Sequence, residues 1–426
     1  MSSAVQELEA FIYGYKIGTL VLHEQKIYFA YEEHFKREKL EISPLKLHTE
    51  KVDGLYSNND AKIYQGLSGI FFDSLPDKFG DSFIDRYFES KGKNIREITL
   101  LDRLSFIGNR GMGAIEYRPK EEDSLKRFSD VLVAKEAHLS LQNMLTSNKE
   151  FYRVDELMEI LYGASPLGGG RPKMLVTFNE QTKQIRTNDQ TLHEGFKRAI
   201  IKFDEVYYEN ESIGLTKLEY LYMNMAKDCQ IEVAKTFLLE EQGQHHLIVE
   251  RFDRDSQDEK IHMATASALL HKEISVPKVM SYEELLSLTT KLCKSHESVE
   301  EMFRRMVFNT LLFNVDDHAK NFSFLMNKKG EWSLSPAYDL TYSYGMVKEH
   351  LTTLQGKSKA FELKDYLALA KRYLIKKSRA IEMVNEIVKV IKELPKRAKE
   401  LKIEEEILDE CIKNVMAQVE MISIDS

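Results

Sequence analysis

The chain predicts an α+β fold built in more than one part, and three observations carry that expectation. Runs rich in β-branched and aromatic residues fall before Tyr31 and again between Met174 and Phe252, whereas helical patterning dominates from Tyr282 onward. The length of 426 residues is enough for two or three domains of ordinary size. Hydrophobic residues make up 43% and charged residues 30%, the balance of a chain that buries a core rather than one that stays disordered.

The elements follow in order. Phe11-Ile12-Tyr13, Gly14, Ile17 to Leu22 and Ile27 to Tyr31 read as strand, turn, strand. Ile63 to Arg103 reads mainly as helix, broken at Pro76. Leu104 to Arg118 reads as a return to sheet, with Gly108, Gly111 and Gly113 as turn residues and Pro119 as its end. The charged Lys120-Glu121-Glu122-Asp123 then reads as a linker, and a second region begins near Ser147. Met174 to Phe178, Ala199 to Phe203 and His246 to Phe252 fit strands, while Thr216 to Leu239 fits a helix followed by a strand. Asn321 to Met326 and Trp332 to Leu334 predict a hairpin among the later helices. The Lys/Glu runs from Phe361 to Ile422 read as solvated helix faces.

Composition removes several function classes. With 20 glycines and 8 prolines the chain is neither collagenous nor of low complexity. Sixty basic residues against 68 acidic ones leave a net charge of −8, which disfavours wrapping nucleic acid unaided but leaves room for a local basic patch. Cys229, Cys293 and Cys411 lie far apart in no metal-like spacing, which argues for a reducing compartment and against a disulfide framework or a zinc module. Met1 to Ala10 does not read as a secretory signal, and no run of about 18 apolar residues occurs. A soluble, cytoplasmic protein with no membrane contact is expected.

Chemistry concentrates in Asn314-Val315-Asp316-Asp317-His318-Ala319-Lys320-Asn321, followed by Leu334-Ser335-Pro336-Ala337-Tyr338-Asp339-Leu340. Asp316 and Asn321 stand five apart, the spacing by which kinase catalytic loops place an aspartate at the acceptor hydroxyl and an asparagine on magnesium. Asp339 follows a hairpin, where a second metal-binding acid belongs. Phosphoryl transfer needs such a set because the transferred group carries spread negative charge. The competing reading is ordinary: aspartate and asparagine in loops commonly make turns and caps. His318 is either a ligand or a side chain that packs the loop.

Gly168-Gly169-Gly170-Arg171-Pro172-Lys173 could turn backbone N–H groups and two charges toward phosphate, or be a flexible loop; it is not a Walker A sequence. Lys202, in an apolar strand, either escapes to a sheet edge or is held for an anion.

Together these residues resemble the HipA family of serine/threonine kinases, the toxins of bacterial type II toxin–antitoxin systems. Ile107 to Ala114 is similar to the end of the family's N-terminal domain, Gly168 to Lys173 to its glycine loop, and Val249-Glu250-Arg251-Phe252-Asp253-Arg254 to its hinge. The catalytic loop and Leu334 to Leu340 complete the series in order.

The resemblance implies a protein-kinase-like, two-lobed α+β fold: an N-terminal α+β subdomain (1–146), a mixed α/β nucleotide lobe (147–255) and a mainly helical catalytic lobe (256–426). It implies ATP and Mg2+ as cofactors. Asp316 would be the catalytic aspartate, with Asn321 and Asp339 on the metal. Gly168, Gly169, Gly170, Lys173, Lys202 and His318 would meet ATP, Glu250 and Phe252 the adenine, and Asp253 the ribose. Glu219 is the candidate ion-pair partner of Lys202. Ser165 is the autophosphorylation candidate, or an ordinary turn serine. It departs from the family pattern by lying one residue further from Lys173 and preceding Pro166.

The implied partners are a small helix-turn-helix antitoxin, HipB-like, operator DNA reached only through that antitoxin, and a protein substrate. An aminoacyl-tRNA synthetase, glutamyl-tRNA synthetase above all, is the family precedent. Two other readings stay open on the sequence: a small-molecule phosphotransferase, and a weakly catalytic ATP-binding co-repressor.

Overall fold

A computed structural model describes residues 5–60, 62–76, 78–119, 131–132, 137, 171–188, 191–204, 214–241, 243–343 and 349–424. The expected linker at 120–123 and the boundary near Ser147 lie outside these residues.

Alternation of apolar and polar side chains makes the first sheet. Leu8, Ala10 and Ile12 of β1 (Glu7–Ile12) all point into the core. Tight turns lead to β2 (Tyr15–His23) and β3 (Lys26–Tyr31), and β4 (Ile115–Arg118) closes an antiparallel sheet in the order β3-β2-β1-β4. The expected return to sheet at Leu104 is corrected here. Leu104 to Ile107 ends a helix, Leu100–Ile107, and only Ile115–Arg118 is strand. Thr99 Oγ1 accepts from the Asp102 amide while the Asp102 carboxylate accepts from the Thr99 amide, and this reciprocal cap starts the helix.

The second sheet comprises β5 (Val131–Leu132), β6 (Lys173–Phe178), β7 (Ile185–Thr187), β8 (Lys197–Lys202), β9 (Thr236–Glu241) and β10 (Gln244–Glu250), in the order β5-β7-β6-β8-β10-β9. The helix Leu215–Asp228 links β8 to β9 and buries Leu218, Leu221, Tyr222 and Met225. Beyond lie β11 (His262–Thr265), β12 (Met280–Ser281), β13 (Ser323–Met326), β14 (Trp332–Leu334) and β15 (Thr352–Thr353). β13 and β14 form the expected hairpin, and β11 pairs with β13.

The helices Tyr282–Cys293 and His296–Leu311 are followed by four more over Leu363–Arg372, Lys377–Ile391, Leu394–Glu400 and Glu405–Ile424. Their apolar faces, such as Met383, Val384, Ile387 and Ile391, are buried. Among the described residues no helix is long and apolar enough to cross a membrane.

Two cores result. The larger joins the first sheet to the C-terminal helices. In the smaller, Phe83, Phe88 and Phe106 pack on Met174, Val176, Ile201 and Ile248 of the second sheet. N-terminal residues therefore contribute to both.

A buried charge cluster ties these parts together just after β10. Asp253 is fully buried and is bracketed by Arg251 (2.8 and 2.7 Å), Arg254 (2.9 Å) and the Gly113 amide (2.7 Å). Gly113 has φ +75 and would put a Cβ 2.9 Å from the Met263 nitrogen, so only glycine fits this approach. Burial alone would raise the Asp253 carboxyl, but the two guanidiniums outweigh it and hold it well below the usual carboxylate range. Asp253→Asn leaves two arginines facing a neutral amide, and a stability loss of about 3–5 kcal/mol is expected. Urea unfolding monitored by circular dichroism checks this, and an unchanged midpoint would show that the cluster contributes nothing.

Candidate functional site

Three separate segments meet at Lys202. The lysine ends β8, paired with Lys173 of β6 on one side and Leu247 of β10 on the other, so it does not sit on a sheet edge. Glu219, one turn into the helix Leu215–Asp228, lies 2.6 Å from Lys202 Nζ and is nearly sealed from solvent. Asp339 Oδ1 accepts from the same ammonium. Burial pulls the lysine's pKa down, but the two carboxylates overcome it and the net shift is upward. Burial likewise raises Glu219 more than Lys202 lowers it. For Asp339 the order is reversed: Lys202 and Lys173 outweigh burial, so it is held ionised well below the ordinary range.

Asp339 reaches this point because the chain around it is pinned. The Ala337 amide donates to Glu232 O (2.7 Å), and the Ala337 carbonyl accepts from the Ala234 amide (2.9 Å). The Tyr338 hydroxyl donates to Lys320 O (2.6 Å). Asp339 itself adopts φ +57, a left-handed conformation that aspartate tolerates better than most residues. Strain of this kind concentrates at functional sites.

The loop carrying Asp316 follows the helix His296–Leu311. The Asn321 side-chain amide donates to Asp316 O (2.8 Å), and the Asp316 amide donates to Ser343 Oγ (3.1 Å). The backbone from Asp316 to Asn321 is thus locked by its own asparagine, which leaves Asn321 Oδ1 open as an acceptor. The Asp316 carboxylate is 40% exposed, and His318 Nε2 stands 3.8 Å away. Burial raises the Asp316 pKa; His318 opposes this, while Asp339 and Asp317 add to it.

Lys202, Glu219, Asp339, Asp316, Asn321, His318 and Lys173 therefore share one region. The Phe252 ring lies 5.5 Å from that of Tyr338, next to Asp339, and Glu250 ends β10 with its amide donated to Lys235 O (2.8 Å). Asp253 does not join them. It was expected near a ribose, but both its oxygens are taken by Arg251, Arg254 and Gly113 inside the protein. Gly168, Gly169, Gly170 and Ser165 lie outside the described residues.

The sequence reading also missed a residue. Asp317 counted only as a second acid beside Asp316, yet it is fully buried and accepts from Tyr282, His350 and Thr352. The doublet itself was the available signal, because adjacent side chains in an extended loop cannot both face the same cleft.

The fold and this cleft define a two-lobed, kinase-like α+β protein. Residues 8–118 match the HipA N-terminal domain, and residues 165–394 match the HipA-like C-terminal domain. The chain belongs to the HipA family, the one its motifs resemble.

The serine/threonine-protein kinase toxin HipA of Shewanella oneidensis is 26% identical over 205 residues, which are 43% of this chain and 45% of that relative. A Haemophilus influenzae protein carrying a kinase designation is 28% identical over 138 residues, 29% of this chain and 40% of the relative. The aligned parts thus span less than half the length of either relative. Over the whole chain, the fold is similar to the HipA of Shewanella oneidensis MR-1 solved with HipB and its operator DNA. The TM-score is 0.68 at 18% identity, with 97% of each chain covered.

Removing the central ammonium should show in stability as well as chemistry. In Lys202→Met, Glu219 loses its partner and its raised pKa rises further. A buried acid with a raised pKa favours folding while protonated, so that contribution is lost as pH rises from the ordinary carboxylate range through the folded value. The variant is expected to melt several degrees lower relative to wild type at pH 8 than at pH 5.5. Thermal unfolding at both values checks it, and a gap independent of pH would refute the role given to Glu219.

Proposed function

We propose that this chain is an ATP- and Mg2+-dependent serine/threonine kinase that acts as the toxin of a toxin–antitoxin pair. The observation that carries the reading is the convergence of Lys202, Glu219 and Asp339 opposite the locked Asp316–Asn321 loop. A buried strand lysine fixed by a helix glutamate is what a phosphate-binding cation requires. An acid held ionised at the end of a pinned segment is what a metal ligand requires.

The donor set fits magnesium. Asn321 Oδ1 and the Asp339 carboxylate are hard oxygen donors, and Mg2+ in such sites takes one or two protein ligands and completes its shell with water and phosphate oxygens. When bound, Mg2+ supplies neutralisation of phosphate charge.

The protein's own groups do the rest. Lys202 and Lys173, neighbours across β8 and β6, offer positive charge to the phosphates from one wall. Asp316, partly exposed, accepts a hydrogen bond from the incoming hydroxyl and orients its oxygen. Burial raises its pKa, so its ionised form accepts a hydrogen bond more strongly than an ordinary carboxylate, and transfer falls as pH drops through that raised pKa. Glu250 and Phe252 frame the adenine side.

The biological setting rests on the family. The Shewanella oneidensis relative is named a toxin, and the structural neighbour was solved with HipB on operator DNA. A small DNA-binding antitoxin is accordingly the partner, and the net charge of −8 agrees with leaving DNA contact to that partner. A serine or threonine of a translation protein, glutamyl-tRNA synthetase being the family precedent, is the acceptor.

Intact-mass spectrometry after incubation with Mg-ATP tests the reading. Wild type is expected to gain one phosphate, or to transfer it to a protein in lysate. Asp316→Asn should do neither while binding nucleotide within about twofold of wild type, and equal loss of binding would remove its assigned role. Asp339→Asn should weaken nucleotide binding only when Mg2+ is present, and an unchanged magnesium dependence would count against the metal assignment.

A further inference from the structure

Beside the Asp316 carboxylate the chain carries a second acid with a different setting. Asp317 Oδ2 accepts from the Tyr282 hydroxyl (2.7 Å) and from His350 Nδ1 (2.8 Å), and Oδ1 accepts from the Thr352 amide (2.9 Å). The Thr352 hydroxyl donates to the Asp317 carbonyl. Behind Tyr282 the chain of bonds continues: Asn309 donates to the Tyr282 hydroxyl (3.3 Å), and Asn314 donates to Asn309 (3.1 Å). Asp317 and Thr352 are fully buried and His350 nearly so, in contrast to the half-open carboxylate one residue earlier.

The donors come from elements far apart in sequence. Tyr282 opens the helix Tyr282–Cys293, and Asn309 lies in the last turn of the helix His296–Leu311. His350 and Thr352 belong to the chain beyond Asp339. β15 is there laid parallel on β12, and the Leu351 amide donates to Val315 O (3.1 Å). Ser343, on the Asp339 side, accepts from the Asp316 amide. Chain from both sides of residues 344–348 is thus bonded to the two adjacent aspartates.

We propose that Asp317 is a positioning residue for phosphoryl transfer. It fixes the loop that presents Asp316, and it lashes the 349–353 chain to that loop. The inference rests on the kinase reading, with Asp316 meeting the acceptor hydroxyl. Burying an aspartate against three donors is costly unless every bond is made. Once made, the bonds couple the Asp316 loop to the 349–353 chain, so that the position of Asp316 depends on that tether. Nucleotide contacts are spared, because Lys202, Lys173 and Asp339 are held by other bonds.

Asp317→Asn puts an amide where either two donors or one already point, and tests this. Transfer from Mg-ATP is expected to fall about 10- to 100-fold, the scale of an ångström-level misplacement of a reacting group. Nucleotide affinity should stay within about twofold. The Thr352 amide, read by hydrogen exchange without nucleotide, should exchange about tenfold faster. Tyr282→Phe, which keeps the ring and removes one donor, gives the same split at smaller amplitude and serves if Asp317→Asn does not fold.

Unchanged transfer in both variants overturns the proposal, as does loss of nucleotide affinity in step with transfer. If wild type itself transfers no phosphate, the kinase reading fails and takes the catalytic half of the proposal with it. Exchange at Thr352 then decides the tether alone, and an unaltered rate in Asp317→Asn overturns that half too.

Discussion

The ammonium of Lys202 is the point on which the rest of the site depends. It ends a strand whose neighbours on both sides belong to the same sheet, and it is shared by an acid from a helix and an acid from the segment after β14. One positive charge thereby sets the spacing of three pieces of chain that share no local contacts in sequence. Without it the helix acid would be a buried, unpaired carboxylate, and the left-handed Asp339 would lose the contact that repays its backbone cost. Under the kinase reading, Lys202 would offer its charge to phosphate and Asp339 would hold the metal. Both groups are held in their charged forms, so neither would have to gain or lose a proton to take up these roles.

What the sequence could show followed from how local each feature was. The Asp316–Asn321 spacing is readable because the asparagine closes a bond onto the backbone of the aspartate five residues earlier. The first hairpins are readable because alternation in β1 and β3 maps directly onto burial. Lys202 was undecidable from the chain alone, since the difference between a sheet edge and a sheet interior is made by β6 and β10, not by β8. Leu104 to Ile107 misled for a related reason: an apolar run suits strand or helix equally, and the cap at Thr99 and Asp102 decided it. Asp253 misled through its neighbours. A motif places it next to the hinge, but its partner Gly113 lies 140 residues away, and no local pattern announces that approach.

The two aspartates of the doublet show how backbone geometry divides labour between like residues. Successive side chains on an extended loop point to opposite sides. Asp316 therefore faces the cleft and keeps an open carboxylate, while Asp317 faces the protein and meets donors from three directions. The second acid also adds to the rise in the first one's pKa, so the scaffold tunes the group that it supports.

The same logic extends to the N-terminal part of the chain. Its sheet, together with Ile70, Phe71, Leu101 and Leu104, belongs to the larger core, while Phe83, Phe88, Phe106 and Ile107 belong to the smaller one, so it packs on both. Its loop from Asn109 to Gly113 and the start of β4 grip the chain that leaves β10. Gly113 binds Asp253, the Gly111 carbonyl receives Arg251 (3.3 Å), and Lys260 bonds both Asn109 O (2.6 Å) and Glu116 (2.8 Å). A little further on, Tyr13 donates to Met326 O (2.6 Å) and accepts from the His262 amide (2.8 Å). The crossing between lobes is thus buttressed along its length after Phe252. The charged joint at Asp253 is thus part of what ties the N-terminal part of the chain to the segment that follows the second sheet.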